Sequence, residues 1–122
     1  MSYRASKEVF NRIIEKALAE LPEQFADVTE VLRIEVRDRP TAQMLRDSGV
    51  KPGHTLLGLY HGRPATRRSV EDSGVLPDVI YLFQGELERI CSSEQELEEQ
   101  VRKTLLHEIG HYFGLDEDDL AD

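Results

Sequence analysis

The first apolar positions of the chain fall at Phe10, Ile13, Ile14, Ala17, Leu18 and Leu21. Steps of three and four are the period of an amphipathic helix with one buried face, with Ser6 as its candidate N-cap and Pro22 as its stop. The pattern then changes. Leu32, Ile34 and Val36 alternate with Arg33, Glu35 and Arg37, a period of two that predicts an outer strand with one face on the core and one in water. Residues 41–47 predict a short helix, closed by Ser48-Gly49 and a Lys51-Pro52-Gly53 turn, and residues 55–60 a second strand. Residues 62–77 are polar and carry Pro64, Gly74 and Pro77, which predicts an irregular excursion, and residues 79–83 read as a short buried strand.

The last element is the most sharply written. Ser93 and Glu96 predict a capping box, and Leu97, Val101, Leu105 and Ile109 continue an apolar stripe to about Phe113, where Gly114 ends the helix. With no internal repeat and no linker, the order helix, strand, helix, strand, strand, helix predicts one α+β domain over residues 1–122.

Composition narrows what such a domain does. The 122 residues are 39% hydrophobic and 32% charged, the profile of one globular core. A single cysteine, Cys91, excludes an internal disulfide. No stretch reaches the roughly 20 apolar residues of a membrane span, and the N-terminus lacks an apolar signal region, so a cytoplasmic address is expected. With 24 acidic against 15 basic residues the net charge of -9 opposes both phosphate backbones and anionic lipid, so neither nucleic acid nor membrane is an expected partner. Nothing in the pattern sets an oligomeric state. The charge is uneven: Asp116, Glu117, Asp118, Asp119 and Asp122 crowd the last seven positions.

That acidic cluster follows a chemical motif. His107-Glu108-Ile109-Gly110-His111 has the H-E-x-x-H pattern. On a helix, two histidines four residues apart lie on one face, so both rings can reach one tetrahedral zinc ion at about 2.0–2.1 Å. Glu108 sits one step round, beside the metal, where a carboxylate acts as general base on a zinc-activated water. Gly110 costs such a helix about 1 kcal/mol relative to alanine, a sign that more than helix stability selects it.

Zinc needs a third protein ligand. Eleven residues follow His111, too few for a distant helix to bring a glutamate, so the ligand is expected in the tail or upstream. Gly114 can adopt a positive φ and turn the chain back, bringing Asp116 or Glu117 within reach. The spacing His107-x-x-x-His111-x-x-Gly114-x-x-Glu117 favours Glu117, with Asp116 as the alternative and Asp118 and Asp119 as solvated surface. Upstream, His54, His61, Asp72 and Cys91 are weaker candidates.

At this point the chain resembles the small bacterial zincin-like metallopeptidase domain family, a minimal zincin. The resemblance rests on Leu56-Leu57-Gly58-Leu59-Tyr60-His61-Gly62, on Ser73-Gly74-Val75-Leu76-Pro77-Asp78, and above all on His107-Glu108-Ile109-Gly110-His111-Tyr112-Phe113-Gly114-Leu115-Asp116-Glu117. It implies a small mixed β-sheet packed against an N-terminal helix and the C-terminal motif helix. It also implies zinc held by His107, His111 and an acid just past Gly114. Members of that family commonly carry aspartate where this chain has Glu117. Larger metzincins support the metal with a methionine turn after the motif, whereas Met1 and Met44 both precede it here.

The expected activity is hydrolysis of peptide or protein substrates by a zinc-dependent metallopeptidase, with an extended peptide paired to a strand edge beside the motif helix. Tyr60, His61 and Tyr81, near strand ends, could donate to the oxyanion, but ordinary packing is the favoured reading of each. Two other readings stand beside it. One is a zinc-binding interaction module without proteolysis, favoured by the missing methionine turn. The other is a metal-dependent ribonuclease using three histidines, disfavoured because the tail offers no third histidine and the charge opposes RNA.

Overall fold

A computed structural model describes residues 2–51, 53–62 and 78–114. Helix α1 spans Lys7–Ala19, and Ser6 caps it by accepting the N–H of Val9 at 3.1 Å. The helix ends before Pro22, which disfavours helical geometry in the residue ahead of it. Its apolar stripe of Phe10, Ile13, Ile14 and Ala17 is buried. Two short 3-10 turns, Glu23–Phe25 and Val28–Glu30, lead into strand β1, Leu32–Arg37. Helix α2, Ala42–Ser48, is capped by Thr41 and closed by Gly49 at a φ of 74°.

Strands β2 (Gly58–His61) and β3 (Asp78–Phe83) complete a mixed sheet of order β1-β3-β2, with β1 parallel and β2 antiparallel to the central β3. The outer place expected for β1 is the one it takes. Strand β2 starts at Gly58 rather than at residue 55, for a reason that lies in its partner. After Phe83, whose N–H donates to Leu57 O at 3.0 Å, the chain turns at once into helix α3, Gln84–Arg89, and offers no further ladder. Residues 55–57 are left outside the sheet.

Helix α3 carries no periodic apolar signal, since Leu87 is its one buried residue. Distant segments hold it: Glu88 accepts the N–H of Ala5 at 2.7 Å, and Gly85 donates to Asp38 O at 2.9 Å. Helix α4, Glu94–Tyr112, begins as the sequence predicts, with Ser93 Oγ accepting the N–H of Glu96 at 3.1 Å. The return bond from Glu96 reaches one residue further back than in the expected box, to the N–H of Ser92 at 2.9 Å.

The core is where α1, α4 and one face of the sheet meet: Ile80 and Leu82 from β3, Leu97, Val101, Leu105 and Ile109 from α4, and the stripe of α1. Each buried aliphatic side chain of this kind contributes roughly 1.5–3 kcal/mol by leaving water. The helix that carries the motif is thus also the central packing element. The pairs Lys16–Glu98 and Arg102–Glu20 tie α1 to α4 at the surface. No helix among the described residues is long and apolar enough to cross a membrane.

Candidate metal centre

Four residues of separation bring His107 and His111 onto one face of the last two turns of α4, with ring centroids 4.7 Å apart and the two Nε2 atoms at 3.1 Å. In tetrahedral zinc, with bonds of about 2.0–2.1 Å, two ligand nitrogens stand about 3.3 Å apart, so the pair is set for a shared ion. Glu108 is buried, 8% exposed, and its Oε1 accepts the main-chain N–H of Tyr60 at 2.8 Å. Among the described residues, His107, Glu108 and His111 are the side chains grouped closely enough to hold a metal, with ligand atoms all within 4.8 Å of one another. Two imidazoles and an adjacent carboxylate are a donor set that zinc accepts.

The register explains why Tyr60 meets Glu108. Leu57 O takes a ladder bond from Phe83, so Gly58 and Tyr60 turn their main-chain groups away from β3 and toward α4. Helix and strand approach so closely only because residue 58 is glycine. A Cβ there would stand 2.5 Å from Thr104 Cγ2 and 3.0 Å from Tyr81 O. Gly58 and Thr104 are therefore part of the site although neither carries chemistry. An isolated glycine within an apolar strand is the only sequence signal for them.

Tyr60 contributes more than its N–H. Its hydroxyl donates to Asp78 Oδ2 at 2.7 Å, and its ring meets Tyr112 edge-on with centroids 5.9 Å apart. Asp78 is buried, 4% exposed. The hydroxyl is thus engaged with a carboxylate rather than turned toward the histidines. His61 and Tyr81 also lie apart from the paired histidines. They pair with Val79 and Leu59, one residue out of step with Tyr60 and Ile80, and so face the side of the sheet away from α4. Tyr81 stacks on Phe83 there, under the Arg37 guanidinium.

Of the upstream ligand candidates, His54 is exposed in a turn and joins no metal-capable group among the described residues. Cys91 is buried in the core just before α4, roughly 20 Å along the helix from His107 at 1.5 Å per residue. Burial, with a smaller contribution from Glu96, pushes its thiol above the ordinary range, which opposes the thiolate a metal requires. Gly114 has the positive φ expected of it, 80°. Asp72, Asp116, Glu117, Asp118 and Asp119 lie outside the described residues, as does most of the 62–77 excursion.

Beside the motif runs a groove of about 330 Å³, open to solvent. One wall is the chain from Thr55 to Gly58; the other is the face of α4 that carries Gln100, Lys103 and Thr104 and leads to His107 and Glu108.

A paired-histidine helix with its glutamate held against the edge strand of a small mixed sheet is the H-E-x-x-H arrangement of a zincin-like fold at minimal size. Residues 29–122 match the model of the zincin-like metallopeptidase family, and the chain belongs to that family. It is also similar to a solved structure, a conserved hypothetical protein from Thermus thermophilus, with 25% identity and a TM-score of 0.58 over 89% of this chain and 94% of that one. No curated protein matches the chain.

Proposed function

We propose that the protein is a zinc-dependent peptidase in which His107 and His111 are two metal ligands, Glu117 is the third and Glu108 is the general base. The reading is carried by one observation: two imidazole Nε2 atoms 3.1 Å apart beside a buried glutamate that the edge strand holds in place. Zinc bound there would supply a Lewis acid that polarises the scissile carbonyl and makes water acidic near neutral pH.

The chain's own residues do the rest. Glu108 accepts the proton of the attacking water and returns it to the leaving amine. The Tyr60 N–H fixes Glu108 Oε1, so the carboxylate keeps one orientation through both transfers. The substrate lies extended in the groove, where the main chain of residues 55–58 recognises it with little demand on sequence. Asp116, one position earlier, is the alternative third ligand, and both acids follow the positive-φ glycine, Gly114, within three residues. Residues 1–122 act as one domain in this proposal. In support, α1 lies outside the matched 29–122 segment yet packs into the same core. A cytoplasmic site of action is part of the proposal, supported by a sequence whose one cysteine leaves no internal disulfide to form.

Metal analysis of the purified protein, followed by chelator-sensitive cleavage of a quenched peptide library, tests the reading. A metal-loaded protein that cleaves nothing in the library would overturn it.

A further inference from the structure

We infer that Lys103 makes the groove select substrates bearing a carboxylate at the second residue on the leaving-group side of the scissile bond. The inference rests on the peptidase reading and adds to it a substrate class.

The groove is a local exception to an acidic chain. Its ionisable lining residues are Lys103, His107 and Glu108, and the last two belong to the centre itself. Nearby cations are engaged elsewhere: Lys16 with Glu98 at 3.2 Å, Arg102 with Glu20 at 3.9 Å. Lys103 makes no ion pair among the described residues, not even with Glu99 one turn before it. The rest of the lining, Thr55 to Gly58 with Gln100 and Thr104, carries no charge. Among the described residues, a carboxylate entering the groove therefore meets one cation and, short of Glu108, no competing anion in the lining.

Spacing and direction set the position. Lys103 precedes His107 by four residues, a rise of about 6 Å along the helix. Two residues of an extended peptide cover about 6.6 Å, so a peptide with its scissile carbonyl at the histidines places its second neighbour beside Lys103. The strand wall runs parallel to α4, because Gly58 abuts Thr104 and Tyr60 meets Glu108. A peptide pairing antiparallel to that wall, the more stable arrangement, has its C-terminal half at the Lys103 end. The carboxylate has two sources there: an Asp or Glu side chain, or the chain terminus of a substrate that ends at that residue.

The experiment compares quenched peptides with Glu or Gln at the second residue after the scissile bond. Peptides that end at that residue as free acid or amide are the second pair. The zinc-loaded wild type, Lys103→Ala and Lys103→Glu are assayed on all of them. The wild type should favour the charged member of at least one pair by about three- to fivefold in kcat/KM, the size of effect an exposed ion pair yields. The pair affected identifies the source. The preference should vanish in Lys103→Ala and reverse in Lys103→Glu when the residue is changed to Lys. Equal rates for both pairs in the wild type, or an unchanged preference in Lys103→Ala, would overturn it.

Titration of the same peptides into Glu108→Gln protein, read at the amide resonances of Gly58 and Thr104, separates this claim from the peptidase reading. If nothing is cleaved but the acidic peptide binds three- to fivefold more tightly, the peptidase reading fails and the groove assignment stands. Equal or undetectable binding overturns the groove assignment.

Discussion

The main-chain N–H of Tyr60 donates to Glu108 Oε1 at 2.8 Å, joining the edge strand to the motif helix through a backbone group. A buried carboxylate is stable only when its charge meets donors, and hydrogen bonds to charged groups are worth about 1.5–3 kcal/mol. The bond thus both stabilises the packing of β2 on α4 and sets the direction of the group assigned as base.

Replacing Glu108 by glutamine separates metal binding from catalysis. The Glu108→Gln protein should retain wild-type zinc content and lose at least about 100-fold in kcat, the lower end of what general acid–base catalysis supplies. Metal analysis and peptide cleavage on the same sample check it. Full activity would remove Glu108 from the role.

The ligand set can be read from metal content alone. His107→Ala and His111→Ala should each lose most of the zinc, since one imidazole cannot hold the ion by itself. Of the tail variants, Glu117→Ala should behave like them and Asp116→Ala like wild type. The reverse result would assign Asp116. Chelation of wild-type protein should lower its Tm, because a ligand bound only by the folded state stabilises it.

Gly58→Ala should destabilise the fold by about 1–3 kcal/mol, the usual cost of forcing a methyl into packed structure. The added Cβ would meet Thr104 Cγ2 at 2.5 Å. Thr104→Ser removes that methyl, so the double variant should recover part of the loss in chemical denaturation, and Tyr81 O at 3.0 Å should keep the recovery incomplete. Additive effects of the two substitutions would show that they do not touch.

Cys91 provides a pH signature. Its thiol is raised by burial, so the folded state keeps the proton at pH values where the unfolded chain, with an ordinary thiol pKa of about 8.5, releases it. The contribution is complete below that pH and is lost as pH climbs toward the folded value. Stability should fall more steeply from pH 8 to 10 in wild type than in Cys91→Ala, measured by urea denaturation, and native protein should react slowly with thiol reagents. Parallel pH slopes would contradict this.

Helix α4, the capping Ser93, the alternation of β1 and the paired histidines are all written in residue types at fixed spacing, which is why the sequence predicts them. What it does not predict depends on neighbours distant in the chain. Helix α3 has one buried side chain and is held by Ala5 and Asp38, so no local pattern announces it. The start of β2 is set by where β3 becomes helix, not by residues 55–57, whose composition reads as strand. Tyr60 and His61 are chemically plausible donors, and only the register distinguishes the face toward α4 from the face away from it. The tail acids are legible as candidates because Gly114 and the motif fix their place in the count.

The bond between Tyr60 and Glu108 has a consequence for descent. Because the donor is a peptide group, any residue at position 60 other than proline can provide it, and its identity leaves no mark on the bond. What must be inherited is the nearness of strand to helix, and that is stored two residues away, in the missing side chain of Gly58. Among diverged relatives, the loss of that glycine would signal a displaced base sooner than any change at Tyr60.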